Sequence, residues 1–280
     1  SDHLLNSGLF KLDVTWATLD TLAQEIRPTT SLIMLETPAN PTLQMTDIRK
    51  VADLAGDVPV LVDSTFATPV LQNPLKHGAS MVLHSATKFL GGHGDVMGGV
   101  IATSEKLAQG LRQIRIATGA LLHPMGAYML HRGLQTLPAR IRMAQSSCEQ
   151  IADFLESHPA ITKVYYPGLM NTDLIPDQIR GGGSMLAFEI KGGFEAAARV
   201  MGAVNMITPA VSLGSTDTLI QHPAALTHQI VDEKVRDANG ISGSLMRISC
   251  GLEDPRDIQL DLEQALNESQ KTTQARRTKT

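Results

Sequence analysis

What this chain has little of removes several protein classes from consideration. Only two cysteines, Cys148 and Cys250, occur in 280 residues, in no Cys-x-x-Cys spacing, so neither a disulfide framework nor a thiolate zinc site is indicated. Long apolar runs are missing. The stretch Val58 to Val62 is interrupted by Pro59 and falls far short of the ~20 residues that a membrane-spanning helix needs. No positively charged and then apolar leader opens the chain. Charge of one sign is scarce as well: a formal net charge of −4 and a pI near 6.1 give no electrostatic reason for nucleic acid or a membrane as partner. Any anion has to be held by local groups. His84, His93, His222 and His228 stand in no His-Glu-x-x-His or Cys/His pairing, so they read as structural and no metal is expected. The expectation is a soluble, cytoplasmic protein.

Hydrophobic residues at 42% and charged residues at 19% lie in the ordinary globular range. A chain of 280 residues makes two domains, or one large α/β domain, the starting expectation. Short runs rich in Val, Ile and Leu alternate with helical patterns through the first half, which is how βα units build a mainly parallel sheet. Strands are expected at Ser31 to Glu36, Val58 to Asp63, Ala79 to His84 and Gly99 to Thr103. Helices are expected at Thr46 to Ala55, opened by Thr46, and at Pro69 to His77. So few units cannot close an eight-fold barrel, and an open doubly wound sheet fits better. Ile141, Ala144, Cys148, Ile151, Ala152 and Leu155 then mark one helix face, with Pro138 suited to its first turn. That helix leads into a second half with strands at Ile161 to Tyr165, Met185 to Ile190 and Ser244 to Cys250, and helices at Phe194 to Val204 and Pro255 to Asn267. The expected division is a large domain over 1–137, a smaller α+β domain over 138–268, and a disordered polar tail over 269–280.

Two strand-end features stand at a telling spacing. Asp63 closes the run Val60-Leu61-Val62, and Ser85-Ala86-Thr87-Lys88 follows Met81-Val82-Leu83-His84. In open α/β sheets the ligand crevice lies beyond the carboxyl ends of the strands, so both point to one region. An aldehyde cofactor needs an amine for a Schiff base, an acidic partner for its ring nitrogen, and hydroxyls and backbone N–H groups for its phosphate. Lys88, Asp63, and the pair Ser85 and Thr87 supply these. The Gly-rich stretch Gly91-Gly92-His93-Gly94 gives the backbone freedom that a close ligand approach requires.

Val62-Asp63-Ser64-Thr65, Ser85 to Lys88, Glu36-Thr37-Pro38-Ala39-Asn40-Pro41 and Ser212-Leu213-Gly214 together resemble, in order and spacing, the Cys/Met-metabolism pyridoxal-phosphate enzymes. That family includes methionine γ-lyase, cystathionine γ-lyase, cystathionine γ-synthase and acylhomoserine sulfhydrylases, and the resemblance reaches to about Ser269. It implies a fold-type I α/β architecture, a mainly parallel sheet flanked by helices and followed by a smaller α+β domain, with residues 1–137 binding the cofactor. It implies pyridoxal 5'-phosphate as cofactor, carried by Lys88, with Asp63 on the ring nitrogen and Ser85 and Thr87 on the phosphate. Thr65 would lie against the ring, and Asn40 would bond its phenolate oxygen. Arg247 matches the arginine that holds the carboxylate of a small-molecule amino-acid substrate, a task suited to a bidentate fork. Ser212 would orient Lys88 and that carboxylate, and a homotetramer would be the assembly.

The distal pocket discriminates within the family. Val211 stands where members handling cystathionine carry a glutamate, and an apolar residue suits a thioether end, since burying an unmatched amino group is costly. The run Gln221-His222-Pro223-Ala224 with Thr227-His228 also resembles the methionine γ-lyase and sulfhydrylase side. The activity implied is trans-sulfuration-type carbon–sulfur lysis, with α,γ-elimination of methionine to methanethiol, ammonia and 2-oxobutanoate. Cystathionine γ-lyase, cystathionine γ-synthase or O-acylhomoserine sulfhydrylase chemistry are the alternatives. The family's N-terminal segment, with part of the phosphate cradle, has no counterpart before Ser1, so a cofactor-poor, non-catalytic scaffold is the alternative from another class. Ser85-x-x-Lys88 also has the spacing of Ser-x-x-Lys acyl-enzyme hydrolases, with Lys191-Gly192-Gly193 as a loose echo of their later motif. Against that reading, Gly91 and Gly92 interrupt any helix after Lys88, and no Ser-x-Asn lies between Lys88 and Lys191.

Overall fold

The computed structural model describes residues 12–169, 177–226 and 241–277. Its first half is a four-stranded sheet of β1 (Ile33–Glu36), β2 (Val60–Asp63), β3 (Met81–Ser85) and β4 (Gly99–Thr103), in that spatial order. The first three strands are parallel and β4 returns antiparallel. The mainly parallel, open sheet is as expected. The strand order nevertheless runs one way without reversal, so a doubly wound arrangement is not found among the described residues.

Helix α1 (Ile48–Ala55) crosses from β1 to β2 and buries Ile48, Val51 and Ala55 against Val60, Val62 and Ala79. Its cap is Asp47, which accepts the Lys50 N–H at 3.1 Å, and not the expected Thr46. Thr46 instead gives its N–H to Thr37 Oγ1 at 3.0 Å. The helix expected over Pro69 to His77 is split into a turn at Thr68–Leu71 and a 3₁₀ turn at Pro74–His77. Pro74 has no N–H and crowds the residue before it, which ends the first turn. Helix α2 (Glu105–Thr118), which the apolar pattern did not signal, buries none of its residues.

The connecting helix α3 runs from Pro124 to Ser157 and contains Pro138. The expectation that Pro138 begins a helix is thereby corrected. Leu130, Gly133, Leu137, Ile141 and Ala144 form one buried stripe straight across the proline. That burial outweighs the single backbone bond the proline removes. The second sheet, in the order β5 (Ile161–Tyr165), β6 (Met185–Ile190), β9 (Leu245–Ser249), β8 (Leu219–Gln221), β7 (Thr208–Pro209), is antiparallel but for its β7–β8 edge. Helices α3, α4 (Gly193–Ala203) and α5 (Pro255–Arg277) cover it, sharing a core of Leu155, Phe188, Val200, Ile248 and Leu262. Helix α5 runs past Asn267 because Ser269, expected in a polar tail, is fully buried and its carbonyl accepts from Arg199 Nε at 3.0 Å. A further cluster, including Phe66, Phe89, Ile141, Met185 and Leu213, joins the two halves. Among the described residues no helix is long and apolar enough to cross a membrane.

Candidate active site

Parallel strands that end together bring Glu36, Asp63 and Ser85 to one edge of the first sheet. Asp63 Oδ1 accepts the Thr65 N–H at 3.0 Å and the Thr65 hydroxyl at 2.6 Å. Thr65 Oγ1 in turn accepts the Ser85 N–H at 2.8 Å. Thr65 therefore buckles the ends of β2 and β3, and Asp63 Oδ2 is left without a hydrogen bond among the described residues.

Lys88 follows within a π-type turn, Ala86–Leu90, where its own backbone departs from helical angles at φ −90°, ψ −129°. The side chain reaches across to the second half and donates to Ser212 Oγ at 3.2 Å. Gly214 permits this approach: at φ +80°, a side chain there would come within 2.7 Å of the Phe89 nitrogen. Only glycine lets the two backbones meet. Burial, and then the charge of Arg247, draw the Lys88 amine below its ordinary pKa, which makes its proton easier to lose.

Arg247 comes from β9, whose five residues are all buried, and is itself 4% exposed. Its Nη1 donates to Asn40 Oδ1 at 2.8 Å and its Nη2 to the Ser212 carbonyl at 3.1 Å, while the buried Nε has no partner among the described residues. Desolvation draws its pKa down to about 10, opposed by Glu36. Ser85 and Thr87 bracket the start of the turn, with Thr87 Oγ1 accepting the Gly98 N–H at 3.0 Å. The fold thus brings together Lys88, Asp63, Thr65, Ser85, Thr87, Asn40, Ser212 and Arg247. Val211, beside Ser212, is 59% exposed. Asn40 and Arg247, which the sequence assigned to cofactor and substrate separately, are bonded to each other. His222 is buried, packs on Phe194 with ring centroids 4.7 Å apart, and shares a 2.9 Å bond with the Gly243 carbonyl. Thr227 and His228 lie outside the described residues.

Two site residues escaped the sequence reading. His84, buried and with Nδ1 unpartnered among the described residues, lies in the field of Asp63, and burial draws its pKa down. Glu36 sits beside Asp63 in strand register. Burial, then the Asp63 charge, push its pKa up to about 7, against the Asn40 N–H and Arg247. The available signal was two acids ending adjacent parallel strands. A carboxyl whose folded pKa exceeds its unfolded one stabilises the fold below the lower value and loses that contribution as pH climbs through the upper. The cofactor-free protein is therefore expected to lose stability between the ordinary value of 4.5 and about 7. Glu36→Gln should remove that loss, matching the parent at low pH and exceeding it by ~2–3 kcal/mol above neutrality. Denaturant unfolding on both sides of the window checks this, and identical pH profiles for parent and variant would refute it.

Residues 3–267 match the family profile described as Cys/Met metabolism PLP-dependent enzyme. An L-methionine gamma-lyase from Brevibacterium aurantiacum is 53% identical over 272 residues, covering 96% of this chain and 66% of that protein. The chain spans about two thirds of the length of such curated relatives. Among solved structures, cystathionine gamma-lyase from yeast superposes with a TM-score of 0.87 at 43% identity, covering 90% of this chain and 67% of that one. Cystathionine gamma-lyase from Lactobacillus plantarum, complexed with L-serine, gives 0.89 at 36% identity, covering 96% and 74%.

Proposed function

The chain belongs to the Cys/Met metabolism PLP-dependent enzyme family, and on that premise we propose that it is a carbon–sulfur lyase releasing methanethiol, ammonia and 2-oxobutanoate from methionine. The observation that carries the reading is the Lys88 amine, 3.2 Å from Ser212 Oγ and near the buried Arg247, at the sheet edge that also presents Asp63. These residues fit the family's cofactor. Asp63 Oδ2 and Arg247 Nε are polar atoms without hydrogen-bond partners among the described residues, the one an acceptor suited to a protonated ring nitrogen and the other a buried donor. In this reading Lys88 holds the cofactor, Asp63 and Thr65 face its ring, Asn40 its phenolate oxygen, and Ser85 and Thr87 its phosphate.

Bound pyridoxal phosphate supplies an aldehyde that captures an amino group and a cationic ring that draws electron density from the substrate α-carbon. The rest falls to the protein. Arg247, already oriented by Asn40 and Ser212, holds the substrate carboxylate by charge-assisted bonds. Lys88 Nζ, its pKa drawn below the ordinary lysine value, takes the proton from Cα and can return one toward the leaving sulfur, steered by Ser212 Oγ. Asp63, anchored through one oxygen by Thr65, has its other oxygen available to a ring nitrogen, whose protonated form such an anion would favour.

For substrate choice, the apolar Val211, 59% exposed, offers no hydrogen-bond partner to the distal ammonium of cystathionine, whereas its side chain can contact a methyl thioether. The relatives named L-methionine gamma-lyase support the same choice. A homotetramer in a reducing, cytoplasmic setting belongs to this proposal, and the buried free thiols Cys148 and Cys250 agree with it. The test is competition: supplied with pyridoxal phosphate, the protein is expected to release methanethiol from methionine with a kcat/KM ~10-fold or more above that for cystathionine. A preference for cystathionine would move the assignment to that branch. A protein that takes up no cofactor would instead leave the scaffold reading.

A further inference from the structure

Arg140 stands apart from the constellation just described, on the long helix α3, and is 8% exposed. Burying a guanidinium is costly unless its donors are spent and its charge is matched. Here the donors go to neutral groups only. Nη1 donates to the Phe89 carbonyl at 2.9 Å, Nη2 to the Gly133 carbonyl at 2.8 Å and Nε to Thr136 Oγ1 at 3.0 Å. Among the described residues no carboxylate forms an ion pair with it, and burial draws its pKa below the ordinary arginine value.

The place where this cation is spent explains its retention. Phe89 is the residue after Lys88, inside the turn closed by Gly91 N–H on the Ala86 carbonyl at 2.9 Å and Gly92 N–H on the Lys88 carbonyl at 2.8 Å. A residue with non-helical angles inside such a turn persists only where its surroundings over-determine it. Helix α3 supplies that constraint by direct contact. A side chain at Gly133 would collide with the carbonyl oxygens of Gly91 and Leu90, so the helix backbone lies on the end of the turn, and the Arg140 fork bridges Gly133 to Phe89.

We propose that Arg140 is a positioning residue for Lys88: anchored on α3, it grips the Phe89 carbonyl and so holds the distorted turn that aims the Lys88 amine at Ser212. The inference rests on the reading of Lys88 as the cofactor lysine. Without the grip, the turn relaxes toward regular helix and the amine leaves the one hydroxyl that orients it.

The readout is covalent capture of added pyridoxal phosphate by the cofactor-free protein, trapped with borohydride at a series of pH values and mapped by mass spectrometry. Arg140→Met is expected to fold, by circular dichroism, yet to capture at Lys88 ~10–100-fold more slowly, with the pH midpoint of capture displaced. Arg140→Lys, keeping the charge and one donor, should recover part of the rate. Thr136→Val, an exposed change that removes the Nε acceptor together with the hydroxyl's own 3.3 Å bond to the Gly133 carbonyl, should give a smaller shift in the same direction, and it serves if the methionine variant does not fold. A parental rate and pH profile in a folded Arg140→Met, or in Thr136→Val should the former not fold, overturns the proposal and leaves Arg140 a packing residue. Capture at another lysine in the parent itself brings down the reading of Lys88, and this inference with it.

Discussion

Lys88→Ala is expected to abolish both covalent cofactor capture and turnover of methionine while leaving the fold in place. Lys88 is half-buried, and among the described residues its one side-chain hydrogen bond is to Ser212, so its removal costs the scaffold little. The chemical loss is of another order. A general base alone is worth ~10²–10⁴ in rate, and the proposed function makes the same atom the attachment point, so a fall of at least ~10³ in kcat is expected. Lys88→Arg sharpens the test. It keeps a cation in the same space but stays protonated and cannot condense with an aldehyde at working pH. Borohydride reduction followed by peptide mapping should find the adduct at position 88 in the parent and nowhere in either variant. An adduct on another lysine, or turnover within tenfold of the parent, would falsify the assignment.

The strands Gly99–Thr103, Ile161–Tyr165 and Met185–Ile190 were legible to the residue, because each is a short apolar run bounded by turn residues. The placement of Ser85 to Lys88 and of the strand-ending Asp63 at one sheet edge was legible for the same reason, being carried by local order and spacing. What escaped depends on contacts distant in sequence. Asn40 and Arg247 are bonded across 207 positions and Lys88 and Ser212 across 124, and no local pattern says which partner each will meet. Glu36 looks like a strand end until the register sets it against Asp63. Pro138 misled because a proline opens helices more often than it interrupts them, and only the buried stripe on both sides of it shows that α3 continues. Arg140 gave no signal, since its value lies in a carbonyl 51 positions earlier.

Asp63→Asn and Arg247→Lys should fail in different ways, because in the proposed function one residue tunes the cofactor and the other grips the substrate. An asparagine at 63 can still accept both Thr65 bonds through its remaining oxygen, so the buckle between β2 and β3 survives. Only the free Oδ2 changes character, from anion to neutral donor. An anion close to a cation is worth ~1–3 pKa units to the charged form. Two to three units lost from the ring correspond to ~3–4 kcal/mol, and hence to a ~10²–10³-fold fall in kcat with the cofactor still bound. Arg247→Lys keeps the charge but loses the planar fork, and with it the simultaneous hold on Asn40 Oδ1, the Ser212 carbonyl and a substrate carboxylate. A lost charge-assisted bond costs ~1.5–3 kcal/mol, so KM should rise ~10–100-fold while the absorption of the bound cofactor stays as in the parent. Steady-state kinetics with the visible spectrum separates the two: a shared kcat defect, or a spectrum altered by Arg247→Lys alone, would show that substrate capture and ring protonation are not divided between these residues.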